Sequence, residues 1–442
     1  MNVIYFNTHD SGRYLSPYGY KVPSPNIEAF ARESILFRRA FCTSPTCSPS
    51  RGSLLSGMYA HSNGLIGLSH RGHEMKDYGK HLGAFLREHG YKTAIAGTEH
   101  IANHTHFKQH ELNYDVLPYD TVIGMPEEDN DIENAEKVAD YIKDSEEGDN
   151  FFISFGLWST HRKYPERITE GYEPEYIHVP PTMKDTEANR EDFAHYCTSL
   201  KIADTCFQIV LNALKDKGIY EDTLVIMTTD HGLASPFNKA CLMDAGIGVA
   251  LMMHIPGMDA DGRVIDAMVS HVDIFPTVCD ILGLEKPDYL QGVSQMKVLS
   301  GDAESVRDTV YAETNYHASF EPMRCIRTKD YKYIRVLHDY GKPMLANIDD
   351  SEPKKGLIEV GFANHKVDEE YLFDLTIDPN ERINFINDLR YMKIKDELSN
   401  KLDHFLVKTD DFTIDEGYKH PKGIVLNAPE AVRPKDHPII LK

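Results

Sequence analysis

The most informative part of the sequence is residues 41–57, which read FCTSPTCSPSRGSLLSG. Arg51 to Met58 has helical character, and Pro49 suits a first helical turn because its missing N–H is not needed there. Cys47 is therefore predicted at a helix N-terminus, where free backbone N–H groups and the helix dipole favour an anion and lower the pKa of a thiol. The Arg51 guanidinium adds hydrogen-bond donors on the same side. The stretch thus predicts a nucleophile that faces an oxyanion such as phosphate or sulfate.

The size and charge of the chain limit the classes of protein to which it can belong. Its 442 residues, 41% of them hydrophobic, suffice for one large domain plus a smaller one and argue against disorder. The formal net charge is -22, from 47 basic and 69 acidic residues. Because so acidic a surface repels nucleic acids and anionic membranes, we expect neither as a partner. An anionic substrate must therefore be held by a local positive pocket.

Cysteine usage and the first residues bear on the compartment. The seven cysteines are spread along the chain without a C-x-x-C pair, which argues against a disulfide framework or a zinc site. The sequence enters a first strand at once and shows neither a signal peptide nor a run long enough for a membrane span. We therefore expect a cytoplasmic protein. Its oligomeric state stays open, and a homo-oligomer is one of the alternatives.

Alternating buried strands and amphipathic helices predict an α/β fold. Strands are predicted at residues 2–7, 92–96, 151–157 and 223–227. The first strand ends shortly before His9 and Asp10, and the last ends shortly before Asp230 and His231. The two strands between them in the chain end shortly before His100 and His161. Helices are predicted at residues 26–37, 80–89, 130–143, 187–217 and about 389–407. Open α/β sheets bind their ligands at the carboxyl ends of strands. These histidines and aspartates are therefore candidate site residues.

A family resemblance rests on the first stretch and on these strand ends. Cys47-x-Pro49-Ser50-Arg51, followed by Leu55-Ser56-Gly57, resembles the signature of type I sulfatases, with Ser56 in place of the usual threonine. The resemblance implies that a maturation enzyme converts Cys47 to formylglycine. It also implies an alkaline-phosphatase-like fold, in which helices flank a mixed, mostly parallel sheet. A catalytic domain of residues 1–300 would precede a smaller α+β subdomain of residues 301–442 that contributes to the substrate pocket.

The resemblance further implies a divalent metal site. Asp230-His231-Gly232 resembles the second metal-binding element of sulfatases, and the usual acidic pair after the first strand is His9-Asp10 here. The implied ligands are Asp10, Cys47, Asp230 and His231, with His9 as a further ligand or a neighbour of the ligands. Oxygen-rich sets favour hard cations, so Ca²⁺ is the first candidate, with Mg²⁺ and Mn²⁺ as alternatives.

The residues that would handle the sulfate are also carried over from the family. They are Arg51, His100, His161 and Lys239, which would bind sulfate oxygens or move protons. Thr98 stands where sulfatases usually have a lysine, so one positive contact is missing. His70 and Arg71 are candidates for the missing charge and for substrate binding. The histidine-rich loop at residues 103–110 is interpreted as a solvated loop near the site.

The C-terminal part resembles N-sulfoglucosamine sulfohydrolases more loosely. Glu313, His317 and Arg324 match the segment that suggests substrate binding in those enzymes. The leading hypothesis is therefore a sulfatase that acts on a small sulfated saccharide of the heparan type, most simply N-sulfoglucosamine. Alternatives on the same scaffold are a phosphonate or phosphate ester hydrolase and an O-sulfatase for another sugar or an aryl sulfate. An inactive ligand-binding relative is the alternative from another class.

Overall fold

The structure is a computed structural model that describes residues 1–102, 116–125, 130–258, 262–414 and 417–442. The histidine-rich loop predicted at residues 103–110 lies outside the described residues. The described strands form a nine-stranded sheet, a four-stranded sheet and a two-stranded sheet. The predicted mixed sheet with a separate antiparallel sheet near the C-terminus is therefore confirmed.

The large sheet carries the residues that matter for function. Its strands are β1 (Asn2–Thr8), β2 (Ile35–Phe41), β3 (Lys92–Gly97), β4 (Thr121–Gly124), β5 (Phe151–Gly156), β6 (Thr223–Thr229), β7 (Gly248–Val249), β8 (Leu251–His254) and β9 (Val264–Ser270). They lie in the order β4-β3-β5-β1-β6-β8-β2-β7, with β9 on β2. The run from β4 to β6 is parallel, and β8 pairs antiparallel with β6 and β2. Four neighbouring parallel strands, β3, β5, β1 and β6, therefore end at one edge.

Helices cover both faces of this sheet. They are α1 (Pro25–Arg32), α2 (Cys47–Ser56), α3 (Ala60–Asn63), α4 (Leu82–Glu88), α5 (Asp131–Asp144), α6 (Glu187–Lys217), α7 (Asp244–Ile247), α8 (Ile274–Leu282) and α9 (Met296–Leu299). Alternate residues of β1 enter different cores: Val3 and Tyr5 pack with α2, α4 and α8, whereas Ile4 and Phe6 pack with α1, α5 and α6. Burial on both faces explains why the strand is a nearly continuous apolar run.

One predicted helix is wrong in its second half. The apolar spacing at residues 26–37 predicted a single helix, but α1 ends at Arg32 and β2 begins at Ile35. Ile35 and Leu36 pair with β8, and Leu36 and Phe37 pair with β9, so they are buried within the sheet. β-Branched and aromatic side chains suit that pleated environment, and the tertiary pairing overrides the helical spacing.

The C-terminal part has its own sheet and core. Strands β10 (Val310–Tyr316), β11 (Phe320–Arg327), β12 (Tyr331–Val336) and β13 (Glu370–Asp374) form the antiparallel sheet, accompanied by α10 (Glu352–Glu359), α11 (Met392–Lys408), β14 (Val425–Leu426) and β15 (Ile439–Ile440). Leu398, Leu402 and Leu406 of α11 pack on this sheet. The division of the chain at residue 300 stays a prediction. In the part of the chain that is described, no helix combines the length and apolar character that crossing a membrane requires.

A buried lysine ties the small sheet to the large one. Lys332 of β12 is fully buried, and its Nζ lies 2.6 Å from Asp244 Oδ1 and 2.5 Å from Glu381 Oε1. It also donates a hydrogen bond of 3.1 Å to the carbonyl of Leu242. Asp244 begins α7, which leads directly into β7 of the large sheet, so this contact crosses between the two parts of the molecule.

Lys332→Met should destabilise the protein strongly, because it leaves the Glu381 carboxylate buried without its cation and leaves Asp244 paired with Arg327. The expected loss is about 3–5 kcal/mol of unfolding free energy, measured by denaturant titration. The control is Lys366→Met, the same change on a lysine whose side chain is 84% exposed. A loss under about 1 kcal/mol for Lys332→Met, of the size expected for an exposed pair, would contradict this account.

Candidate active site

The pairing of β1 with β6 brings two carboxylates together. Thr8 and Thr229 are register partners at the ends of these strands, and Asp10 and Asp230 follow them. The backbone N–H of Asp10 donates a 2.9 Å hydrogen bond to Asp230 Oδ1. Asp10 has a φ of 43°, a left-handed conformation that non-glycine residues seldom adopt outside turns and functional sites. Both carboxyl groups are fully buried.

The two carboxylates are ionised because cations face them. Burial alone would raise the pKa of the Asp10 carboxyl, but Lys239 and the ring of His9 hold it well below its usual range. Burial likewise opposes ionisation of Asp230, yet the rings of His231 and His9 and the Arg51 guanidinium hold its pKa below the usual range. A pair of buried anions at adjacent strand ends is the donor set that a divalent cation requires.

Cys47 is the first residue of α2, so the predicted position at a helix N-terminus is confirmed. Its Sγ lies 3.3 Å from His231 Nε2 and 3.9 Å from Asp10 Oδ1. The predicted lowering of the thiol pKa is wrong, however. Burial raises the pKa of Cys47 well above its usual range, and Asp10 and Asp230 add to this shift. The helix terminus therefore does not produce a thiolate here, and the unmodified residue is a neutral thiol.

Arg51 connects α2 to the strand ends, and one of its donor groups has no hydrogen-bond partner among the described residues. Its Nε donates to Asp230 Oδ2 at 3.0 Å, and its Nη1 donates to the Thr98 carbonyl at 2.9 Å. Nη2 is buried, and no residue in the described part of the chain accepts a hydrogen bond from it. An unpaired buried donor is costly, so this group indicates a place for an anionic ligand.

Lys239 lies between two carboxylates. Its Nζ is 2.9 Å from Asp10 Oδ2 and 3.2 Å from Asp349 Oδ2. Burial by itself lowers the lysine pKa, but these two anions raise it well above its usual value. Asp349 was not predicted as a site residue. It lies between β12 and β13, far from any sequence motif, and only the fold places it beside Lys239.

His161 and its neighbours form the side of the site next to β5. Its Nε2 lies 3.9 Å from Asp10 Oδ2, while Nδ1 contacts the carbonyl of Arg162. Burial, with Lys239 nearby, lowers the pKa of His161 to about 4. The ring is packed against His9 at 4.6 Å and against Trp158 at 4.9 Å between centroids. The imidazole is thus held with one nitrogen directed at the carboxylate pair.

Two imidazoles approach the carboxylates most closely. His9 Nδ1 lies 2.9 Å from Asp10 Oδ1 and 3.2 Å from Asp230 Oδ2. His231 Nε2 lies 3.3 Å from Asp10 Oδ1. His9, Asp10, Cys47 and Asp230 each place a ligand-type atom within 4.8 Å of the others. The structure therefore brings together all of the ligands implied by the sequence, and His9 with them.

The replacement of lysine by Thr98 is accompanied by a pair of histidines. His100 has a φ of 62°, and its Nε2 lies 2.9 Å from His70 Nδ1, with the two rings stacked at 5.1 Å. His100 and His9 lie 6.3 Å apart between ring centroids. His100, which follows β3, and His70 thus lie together near His9.

The other predicted substrate-binding residues divide into two groups. His317 is buried with an unpaired Nδ1 within the described structure, and the charges of Lys239 and Asp349 act on it, so it lies near the site. Arg71 donates to Asn427 Oδ1 at 2.9 Å and to the Pro434 carbonyl at 3.1 Å, so its guanidinium binds the C-terminal segment.

Glu313 and Arg324 are placed in an ion-pair cluster of the C-terminal sheet. Arg324 donates to both oxygens of Asp411, at 2.6 and 2.9 Å, and its Nη2 lies 3.6 Å from Glu313 Oε2. Glu313 Oε1 lies 2.8 Å from His61 Nδ1. All four side chains are buried and form ion pairs with one another. This arrangement supports the fold around α3, and it does not present Glu313 and Arg324 to a ligand.

Comparisons with known proteins agree with this geometry. The family model described as sulfatase matches residues 2–284, more than half of the 442 residues. The chain belongs to the sulfatase family. A second family model, for the C-terminal part of N-sulphoglucosamine sulphohydrolases, matches residues 230–360 of this sulfatase. Membership supports the predicted hydrolase class, and the family generally uses a metal and a formylglycine.

Individual relatives extend over nearly the whole sulfatase. Human N-sulphoglucosamine sulphohydrolase is 26% identical over 461 residues, which covers 91% of this chain and 88% of the human protein. An ulvan-active sulfatase of Formosa agariphila is 28% identical over 407 residues, covering 90% and 78% of the two chains. A Bacteroides thetaiotaomicron structure from work on the metabolism of multiple glycosaminoglycans has a TM-score of 0.74 at 22% identity, covering 93% and 97%. That structural likeness shows the shared fold.

Arg51→Lys should lower kcat/KM of this sulfatase for an aryl sulfate by about 10²–10³-fold, as expected when one oxyanion donor is lost. A lysine cannot bind Asp230 and the Thr98 carbonyl at once and still offer a donor to the ligand. The control is Arg38→Lys, whose exposed guanidinium pairs with Asp266 at 3.0 Å. If Arg51→Lys and its control had the same kcat/KM, the free Nη2 group would not be a ligand-binding donor.

Proposed function

We propose that this sulfatase hydrolyses the sulfamate of a small amino sugar, with N-sulfoglucosamine as the first candidate, through a formylglycine made from Cys47 and a divalent cation. A maturation enzyme would make that conversion. The name of the human relative and the C-terminal family model support the choice of sugar. The observation that carries the proposal is the position of Cys47 at a helix N-terminus, against Asp10 and His231 and beside the unpaired donor group of Arg51.

The proposed modification and cation fit the residues that surround them. Formylglycine supplies, as its hydrate, one hydroxyl for attack on sulfur and a second that allows sulfate to leave without hydrolysis at sulfur. Asp10, Asp230, His231 and residue 47 would hold the cation, which supplies positive charge toward the sulfate. The sequence favoured Ca²⁺, with Mg²⁺ and Mn²⁺ as alternatives, because most of these donors are oxygens.

Fixed donors would bind the sulfate oxygens. Arg51 offers Nη2 without giving up its contacts to Asp230 and Thr98. The Lys239 ammonium is oriented by Asp10 and Asp349, so it needs little reorganisation when a sulfate arrives. Donors that are already oriented stabilise the charge that develops on the sulfate oxygens in the transition state. His100, at the end of β3, would assist the final expulsion of sulfate.

The leaving nitrogen needs a proton. When the S–N bond breaks, the electron pair stays on nitrogen, which takes a proton to leave as an amine. Lys239 is the group placed to give it, because it holds its proton and lies 2.9 Å from Asp10 Oδ2. His161 Nε2 lies on the same side, at 3.9 Å, and could give a proton only after taking one up, since the pKa of this histidine is about 4. The contact between His161 Nδ1 and the Arg162 carbonyl directs Nε2 into the site.

Asp349 favours an amine over an alcohol as the leaving group. Its side chain is 20% exposed, whereas those of Asp10 and Asp230 are fully buried, so it lies closer to solvent than those two carboxylates do. A carboxylate there would repel the sulfate, but it would attract the positive charge of a sulfamate nitrogen that is protonated before the S–N bond breaks. The released amine and a released alcohol are both neutral, but an ester oxygen is less basic than this nitrogen and takes its proton only as the bond breaks, so it gains less from this anion. Asp349 therefore supports a sulfamate substrate.

Protein co-expressed with a formylglycine-generating enzyme should prefer glucosamine N-sulfate over glucosamine 6-sulfate and over a phosphonate monoester. The expected ratio of kcat/KM exceeds about a hundred, or roughly 2.7 kcal/mol of transition-state discrimination. The matched control is Cys47→Ala, which cannot form the aldehyde. Mass spectrometry of the peptide that contains residue 47 reports the modification independently of activity.

Each outcome of this assay has a distinct meaning. Preference for the 6-sulfate would make the protein an O-sulfatase, and preference for the phosphonate would make it a phosphonate hydrolase. Either result would overturn the proposed substrate and leave the formylglycine chemistry standing. Activity that survives Cys47→Ala would overturn the chemistry itself.

Asp349→Asn should separate the two kinds of leaving group. We expect kcat/KM for glucosamine N-sulfate to fall about 10–100-fold, the loss typical of a hydrogen bond to a charged group. The value for an aryl sulfate should change less than about threefold, because a phenol leaves without a positive charge. The control is Asp350→Asn, which alters the next residue, whose side chain is 56% exposed and pairs with Lys354. Equal losses on both substrates would exclude a role for Asp349 on the leaving-group side.

A further inference from the structure

The position of His9 points to the kind of cation that the site binds. Its ring is 1% exposed, and Nδ1 lies 2.9 Å from Asp10 Oδ1 and 3.2 Å from Asp230 Oδ2. A histidine in an open turn would not place a ring nitrogen within reach of both carboxylates. His9 therefore occupies the centre of the site.

We propose that His9 ligates the cation through Nδ1 and makes the centre a mixed nitrogen and oxygen site for a first-row transition ion such as Mn²⁺, in preference to Ca²⁺. The inference rests on the proposed cation site but does not depend on which substrate is hydrolysed. Together with His231, His9 provides two imidazoles beside the carboxylates of Asp10 and Asp230. Imidazole suits transition ions, whereas calcium takes six to eight oxygen donors.

The spacing of the donors is compatible with a six-coordinate transition ion. His9 Nδ1 lies 2.9 Å from Asp10 Oδ1 and 3.2 Å from Asp230 Oδ2, and His231 Nε2 lies 3.3 Å from Asp10 Oδ1 and 3.9 Å from Asp230 Oδ1. Neighbouring ligands of an octahedral ion lie about 1.4 bond lengths apart, or about 2.9–3.1 Å for bonds near 2.1–2.2 Å. The seven-coordinate geometry that calcium often adopts also allows neighbours this close, so the choice between the ions rests on the donor types and their charge.

The charge of the donor set also disfavours calcium. A histidine at position 9 leaves Asp10 and Asp230 as the two anionic side chains among the protein donors, and both already contact cations. Arg51 Nε lies 3.0 Å from Asp230 Oδ2, and Lys239 Nζ lies 2.9 Å from Asp10 Oδ2. Because calcium affinity rises with the number of charged oxygen ligands, this set is a weak calcium site.

The test compares the binding of Mn²⁺ and Ca²⁺ to the full chain after removal of metals with a chelator. Free Mn²⁺ is measured by electron paramagnetic resonance, and Ca²⁺ is measured by competition. We expect Mn²⁺ to bind the unaltered protein at least about 100-fold more tightly than Ca²⁺. His9→Asp should reduce this ratio at least tenfold. The control is His89→Asp, the same change on an exposed histidine of the α4 terminus, which should leave the ratio unchanged.

Pulsed electron paramagnetic resonance of the bound Mn²⁺ shows the ligands directly. Couplings from two imidazole nitrogens are expected in the unaltered protein, with the loss of one in His9→Asp and of one in His231→Asn. Calcium binding as tight as manganese binding in the unaltered protein would overturn the proposal, and that result requires no variant to fold. Nitrogen couplings that persist unchanged in His9→Asp would also overturn it. Neither readout involves turnover, so a failure here is distinguishable from a failure of the proposed sulfamate hydrolysis.

Discussion

Two buried carboxylates at adjacent strand ends impose the constraint on which the rest of the site depends. Parallel pairing of β1 with β6 leaves Asp10 and Asp230 with ligand atoms within 4.8 Å of each other. At that separation two unit charges repel by roughly 4 kcal/mol with an effective dielectric constant of about 20. The fold meets this cost with two cations from different segments. Arg51 comes from α2 and Lys239 from the loop after β6, and the His9 ring contacts both carboxylates from the strand end itself. Each of these groups therefore contacts a carboxylate and can also contact a ligand. The same side chains thus stabilise the buried carboxylates and form the binding site.

The two parts of the molecule contribute different residues to this network. The ends of the parallel strands and the start of α2 carry the groups that face sulfate and cation, and they lie on backbone that is buried on both faces. The C-terminal part contributes Asp349, which pairs with Lys239, and His317, which lies close enough for the charges of both to act on it. Correct placement of Asp349 therefore depends on how the small sheet is docked. The buried ion pair of Lys332 with Asp244 fixes that docking, although it is far from the chemistry in sequence.

Much of the site could be predicted because strand ends are visible in a sequence. A buried apolar run followed by a polar motif identifies both an element and its ligand-bearing end, as it does for Asp10 and Asp230. The helix at residues 187–217 was also predicted with its observed bounds, since its apolar spacing is long and regular. Features set by tertiary contact could not be predicted. The β2 strand looked helical, the helix-terminal thiol has a raised pKa because carboxylates and burial outweigh the dipole, and Asp349 carries no motif.

Two of the departures from the family pattern, at His9 and Thr98, change the charge of the site in opposite directions. At the end of β1 a histidine stands in place of the first of two acidic residues, which removes one negative charge from the cation site. At the end of β3, Thr98 stands in place of a lysine, which removes one positive charge from the sulfate side. Because β5 alone separates β1 from β3, the two changes fall in one site and leave its summed formal charge as it was. The backbone carbonyl of Thr98 still holds Arg51, so the anion-binding guanidinium keeps its position without the lysine. The positive charge that is lost at the end of β3 is thus balanced by the negative charge that is lost at the end of β1. The site therefore stays suited to a monoanionic sulfate group.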